Sequence, residues 1–445
     1  MAEKKKTQGQ NAGSSSIKEA TIISKTDPDR QVNVAGGFIQ FRYYESILQD
    51  GIKASYSFAD AGSSIDGKTV SEGLPLNGGE TFVFKAQDNN EKELKIKMIV
   101  GKTTSLTEET TKSLVILPLS SEAFAINDTK NVRKFFPNQK ISDHVKSLIT
   151  DFLLSEKTLD IEETSNTLKE YGLNRKPYYM LNTFAKKAQP SGGEGKTAGY
   201  FFFETSEKMI FKSIDSFFDV EKNPKKRSII YNQGPEKNAV PEGYDYKALT
   251  FDKESADKLE MLKMGAFSTA SITIDPSPKN GGFEFKRTVL STIEDIVENV
   301  DEPIEPLSTA AKELVTFNPG LIKEFSRTTM NFLDTGSFGQ TAEESLENNF
   351  DFAGIYNQSI MRYNQVFASK VHILIQGDFE LHAGDMIFFD APSPEQDTKN
   401  DEIDKETGGL YIIASLCHYI TPEKTLTKLT LIRDSSGRKG NHRKT

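Results

Sequence analysis

The sequence predicts an α+β fold that is mostly β: two antiparallel β-barrel units flanking a small α+β unit. Three observations predict it. Apolar and polar residues alternate through much of residues 19–126, the spacing turns helical near residue 127, and alternation returns between 244 and 435. At 445 residues the chain has length for about three domains, each with a core of its own.

Residues 1–18 begin with basic residues but carry no apolar run behind them, so they read as a flexible arm rather than a secretory signal. In the first unit, 19–126, Ile52, Ala54, Tyr56 and Phe58 alternate with Lys53, Ser55 and Ser57, and Leu94, Ile96, Met98 and Val100 alternate around Lys95 and Lys97. Each run has one wet face. The runs GGFIQFRYY, ETFVFKAQ and KSLVILPLSS bring the strands to at least five, separated by Gly-, Ser- and Asp-rich turns. The α+β unit, 127–222, opens with Val145, Leu148, Ile149, Phe152 and Leu153 on one helical face, with Ser142 placed as the cap. A second helix starts at Pro177, whose fixed φ suits a first turn, and buries Tyr178, Leu181, Phe184, Ala185 and Ala188. A hairpin turning at Glu207-Lys208 follows.

The Gly/Pro/Lys-rich stretch 223–243 reads as a linker. The second β unit, 244–435, is interrupted at 294–350 by an acidic insertion, with six acids in residues 294–306 and too little apolar content for a core of its own. A helix at 351–368 presents Phe352, Tyr356, Ile360, Tyr363 and Phe367. Strands then run to a closing pair joined at Thr421–Thr425. Residues 436–445 form a basic tail.

Composition excludes several functions. No run of 18 apolar residues exists, so a spanning helix is not expected. Cys417 is the one cysteine, which leaves no intrachain disulfide and no Cys-built zinc cage. A net charge of −9 disfavours a protein whose task is to grip phosphates. The basic run Lys225–Arg227 and the tail are expected to be a solvated loop and a frayed end.

The search for chemistry finds no site. His144, His372, His382, His418 and His442 are scattered singly, and HExxH, CxxC, GxSxG and P-loop patterns are all missing. A carboxylate pair of glycosidase type is easy to draw from 64 acids and carries little weight. His382 and Asp385, either side of Gly384 in GDFELHAGDMIFF, suggest a metal ligand or proton carrier, but a tight turn between two strands explains them better: Gly allows positive φ and Asp bonds nearby backbone. His382 is then a half-exposed strand residue, and Cys417 in its alternating strand a packing residue. The aromatics Tyr200–Phe203 lack interleaved basic residues and read as a buried strand rather than a base-stacking platform. No catalytic, cofactor-binding or metal-binding residue is nominated, and no enzymatic activity is expected.

The order of segments carries a resemblance. A strand-rich region is followed by NVRKFFPNQKISDHVKSLITDFL, then YFFFETSEKMIFKSID, then MRYNQVFASKVHILIQGDFELHAGDMIFF, and finally GGLYIIASLCHYITPEKTLTKLTLIRDSSGR. Together with YYESILQDGIKASYSF, this order resembles the central baseplate hub of contractile-tailed bacteriophages, of the T-even-like and cyanophage type. The likeness covers most of residues 35–438, with no counterpart for the insertion. It implies two barrels of tail-tube type and a homotrimer that sets six of them in a pseudo-six-fold ring. It also implies tail-tube or tube-initiator proteins above, a trimeric spike below, and wedge proteins around. The chain would then be a virion component, built in the host bacterial cytoplasm, enclosing a lumen through which duplex DNA passes unheld. The acidic balance suits such a wall, since attraction for phosphates would brake the genome. A tail-associated cell-wall-degrading enzyme is the alternative. A receptor-binding fibre is disfavoured by the lack of fibrous repeats.

Overall fold

The computed structural model describes residues 13 and 15–434, apart from 63–64, 66, 75, 110–111, 192–196, 232–239, 256, 276–283, 291–326, 333–354 and 392–406. It is mostly β, with large antiparallel sheets and few helices. No helix among the described residues is long and apolar enough to cross a membrane.

The first strand set is β1 (Ser16–Ile23), β2 (Gln31–Asn33), β3 (Phe38–Ser46), β4 (Lys53–Asp60), β5 (Thr81–Gln87), β6 (Glu93–Val100), β7 (Thr104–Glu109) and β8 (Lys112–Ser121). Every expected strand is present. The alternation in β6 sorts as predicted, with Leu94, Ile96 and Met98 inward; in β4 Ala54, Tyr56 and Phe58 are buried as expected, but Ser57 of the expected wet face is buried as well. The arm gives up its end, because Ser16 and Ile17 already pair with Gln87 and Ala86 of β5. A short helix α1 (Val70–Gly73) links β4 to β5.

The middle region holds α2 (Glu122–Thr129), β9 (Phe135–Lys140), α3 (Ile141–Ser147), β10 (Thr158–Ile161), β11 (Thr167–Tyr171), α4 (Pro177–Lys187), β12 (Tyr200–Glu204), β13 (Lys208–Ser213) and α5 (Ile214–Phe218). Pro177 opens α4, and Tyr178, Leu181, Phe184, Ala185 and Ala188 are buried as the spacing predicts. The hairpin at Glu207 is β12–β13, with β10 added to β13 in parallel. Ser142 does not cap α3: Lys140 stands at the N-cap, and Ser142 donates its own N–H to Thr164 Oγ1 at 3.1 Å. The helical stretch starts at Ile141, where β9 leads into it without a break, and continues as a π-helical turn over Leu148–Leu153, so Val145, Leu148, Ile149 and Leu153 of the expected stripe are buried.

The second set is β14 (Arg227–Ile230), β15 (Tyr246–Lys247), β16 (Thr250–Ser255), then α6 (Lys258–Met264), β17 (Thr269–Asp275), β18 (Glu284–Leu290), β19 (Arg327–Phe332), α7 (Asn357–Gln365), β20 (Ser369–Gln376), β21 (Met386–Asp390), β22 (Gly409–Ile420) and β23 (Thr425–Arg433). Four expectations are corrected here. Within the expected linker lies β14, paired in parallel with β21, because Ser228 and Ile229 are buried and need partners. Within the insertion lies β19, the parallel neighbour of β17; most of that insertion and the basic tail are outside the described residues. The helix expected at 351–368 is α7, with 351–354 likewise outside. Residues Gly377–Asp385 form a connection rather than a strand, yet the tight turn expected at Gly384-Asp385 is present within it, closed by Asp385 N–H to His382 O at 3.2 Å.

Two pairings organise the molecule. β3 lies antiparallel to β22, with Phe41–Ser46 opposite Ser415–Ile420, so the first set and β14–β16 and β20–β23 of the second belong to one hydrogen-bonded sheet of fifteen strands among the described residues, while β17–β19 form a separate three-stranded sheet. The apolar faces of the large sheet share a contiguous core that runs from Ala20 to Leu431. The second set is linked end to end: Ala248 N–H donates to Ile230 O of β14, and Leu249 N–H to Leu374 O of β20. A second core, with Phe136, Leu181, Phe184, Phe202 and Phe211, fills the middle region, and a third, with Ile47, Phe203, Phe217, Met386 and Ile432, lies where both sets meet it.

Candidate functional site

Glu45 marks that junction. On β3 the inward phase runs Phe41, Tyr43, Glu45, which places a carboxylate in a buried position, 1% exposed. An ionised buried carboxylate must be paired. Glu45 Oε1 accepts from the Tyr43 hydroxyl at 2.7 Å and from Ser206 N–H, in the β12–β13 turn, at 2.8 Å. Its Oε2 accepts from Ala383 N–H at 3.1 Å, and His382 Nδ1 lies 3.2 Å from Oε1. One carboxylate thereby ties together β3, the middle region and the 377–385 connection.

The electrostatics follow. Burial alone would raise the Glu45 pKa, but the His382 charge and the hydrogen bonds outweigh it and bring it from 4.5 to about 2. Burial would lower that of His382, yet Glu45 carries it above its usual value. His418, stacked on Tyr43 and bonded to Thr427 Oγ1, is lowered by burial to about 4 and stays neutral. His382 is thus the proton-bearing partner of a fixed ion pair.

The same connection carries a second set of pairs. Asp385 Oδ2 accepts from His382 N–H at 2.7 Å and pairs with Lys226 at 2.8 Å, although burial still raises its pKa. Gly384 between them has φ +88, and an added Cβ would come 2.9 Å from Phe203 and Phe217, so glycine is required on both counts. Arg227 bridges Asp378 at 2.8 Å and Glu380 at 2.7 Å. Tyr246 donates to Asp378 and receives from Asn90, while Phe379 N–H donates to Asp88. The last two contacts reach the β5–β6 turn of the first set. Lys225–Arg227 is therefore not a solvated run: Lys226 and Arg227 are in ion pairs, and the Lys225 ammonium lies 5.7 Å from the Phe388 ring.

A further brace holds α7. Arg362, fully buried, pairs with Asp215 and Asp434 and donates to Thr197 and Gln365, fastening the helix to the middle region and to the end of β23.

The residues singled out in the sequence thus part company. His382 and Asp385 come together as cross-braces. Cys417 lies apart on β22 between Tyr44 and Lys428, and burial pushes its thiol pKa up, which disfavours the thiolate. His144 donates to Leu168 O inside the middle core, and His372 bonds Thr430. Tyr200–Phe203 are buried in β12. Among the described residues no group of three or more His, Cys, Asp or Glu side chains is placed to hold a metal. A cavity of ≈ 360 Å³ beside Tyr43 and Glu204, and one of ≈ 220 Å³ beside His382 and Asp385, flank the β12–β13 turn. Glu45 carried a visible signal, an acid in the apolar phase of a strand; Arg362 carried none.

No protein-family model and no curated protein matches the chain. Solved structures do. A tail protein from Neisseria meningitidis MC58 superposes with TM-score 0.52 at 8% identity, over 96% of this chain and 98% of that one. The 43 kDa tail protein of prophage MuSo2 from Shewanella oneidensis superposes with TM-score 0.51 at 9% identity, over 94% and 98%. The chain has the fold of these two tail proteins along nearly its whole length.

Proposed function

We propose that this chain is a structural, non-enzymatic hub of a contractile phage tail, a homotrimer joining a six-fold tail tube to a three-fold spike and enclosing the channel for DNA. The observation that carries it is the whole-length likeness to two tail proteins, with no large part of either chain left over. The internal geometry supports it. Two strand sets sit side by side along β3–β22, so that three chains would present six such units toward a tube. The polar pairs at Glu45, Arg227 and Arg362 each join separate parts of the chain, as a load-carrying body requires. Tube or tube-initiator proteins would bind above, spike below and wedges around, in a virion assembled in the bacterial cytoplasm.

Negative-stain imaging of the purified chain, alone and mixed with its spike, tests this. Three-fold rings that recruit spike are expected. Single small particles that ignore spike would overturn it. A peptidoglycan zymogram addresses the cell-wall-degrading alternative, and no clearing is expected.

A further inference from the structure

Five cationic side chains line the ≈ 220 Å³ cavity beside His382. Strand alternation builds one wall: Lys208, Ile210 and Lys212 share a face of β13, while Met209 and Phe211 turn into the middle core. The α5–β14 connection adds Lys222 and Lys226, and the 377–385 connection adds the His382 ring. Against these stand three lining carboxylates, those of Asp160, Glu207 and Asp385.

The pairing within the wall leaves donors unused. Asp160 serves two lysines, Lys212 at 2.9 Å and Lys208 at 3.9 Å, so the Lys208 ammonium stands beyond hydrogen-bond reach of its acid. Asp385 is taken by Lys226 at 2.8 Å. Lys222 and His382 are neutralised by Glu162 and Glu45, and neither of those carboxylates lines the cavity. Because His382 Nδ1 faces Glu45, the ring edge left for the cavity is that of Nε2, which has no hydrogen-bond partner among the described residues. The protonated imidazole carries an N–H there, and a donor in a recess calls for an acceptor. Two cationic donors from distant parts of the chain thus open on one space, far larger than the roughly 10–15 Å³ that a water needs. Excess positive charge in a recess favours an anion over neutral water.

We infer that this cavity binds one small oxyanion of the phosphate or sulfate class, held by the Lys208 ammonium and the His382 Nε2–H. An ion so held ties β13 to the 377–385 connection, a second link beside Glu45 between the middle region and the second strand set. The inference does not depend on the assembly proposed above.

Equilibrium dialysis of the full chain against radiolabelled inorganic phosphate tests it, at about pH 6, where His382 is charged. Saturable uptake of a single phosphate per chain is expected, displaced by sulfate but not by chloride at the same ionic strength. Lys208 is 45% exposed and lightly paired, so Lys208→Gln should fold normally and weaken uptake about tenfold or more, as loss of a charge-assisted hydrogen bond does. His382→Gln should weaken it similarly; if that variant fails to fold because Glu45 is left unpaired, Lys208→Gln decides. Lys428→Gln, an exposed lysine on β23, is the control and should leave uptake unchanged. Wild-type chain without saturable uptake overturns the site. So does uptake that a folded cavity variant leaves intact, or that the control weakens equally.

Discussion

Glu45 and His382 are 337 residues apart and form a buried ion pair whose pH dependence is calculable in sign. Glu45 has a folded pKa of about 2 against an ordinary 4.5, so its stabilisation is complete above pH 4.5 and fades as pH falls toward 2. His382 is raised above 6.5, so its share is complete below that value and fades as pH climbs through the folded pKa. Asp385, raised by burial, works oppositely in acid, but it is common to wild type and variant. Glu45→Gln should therefore cost about 3 kcal/mol between pH 4.5 and 6.5, with the difference shrinking on both sides. Urea midpoints across pH measure it, and a difference independent of pH would refute the pairing. At this scale the sequence was half legible. Acid in the apolar phase of FRYYE marks Glu45 as unusual, but nothing local names a partner so far along the chain. His382 was placed on a strand because Leu381 and Ala383 flank it; in the structure the backbone there serves Glu45 and Asp385 instead.

Strands with clean alternation, such as β5 and β6, were legible because period two reports one buried face directly. Two strands were hidden by their surroundings. β14 sits among Pro, Lys and Asn, and only tertiary pairing with β21 explains why Ile229 is wholly buried. β19 sits in a polar, acidic stretch and is a strand by virtue of β17. The β3–β22 seam was equally illegible, since a pairing across some 370 residues leaves no local trace. It is nonetheless the element on which both strand sets depend. Proline at Leu416, in a strand flanked by β23 and β3, should destabilise by about 3 kcal/mol or more by removing a ladder hydrogen bond and clashing. Proline at Asp252, in β16, which among the described residues pairs only with β20, should cost clearly less. Thermal melts of the two variants compare them directly. Equal losses would mean that the seam carries no special weight.

For the whole molecule, charge and assembly are the testable quantities. A passive channel should bind duplex DNA weakly, because 64 acids face 55 bases and leave little to release counterions. The structure adds a local reason: Lys226 and Arg227 are held by Asp385, Asp378 and Glu380, so three copies would not line a lumen with unneutralised charge. A gel-shift at physiological salt should show no tight complex; tight binding lost on changing Lys225, Lys226 and Arg227 to Ser would contradict this. The central claim is the trimer, and light scattering of the purified chain on a sizing column tests it most directly. A mass three times that of the 49.6 kDa chain is expected. A single-chain mass at every concentration tried would contradict it.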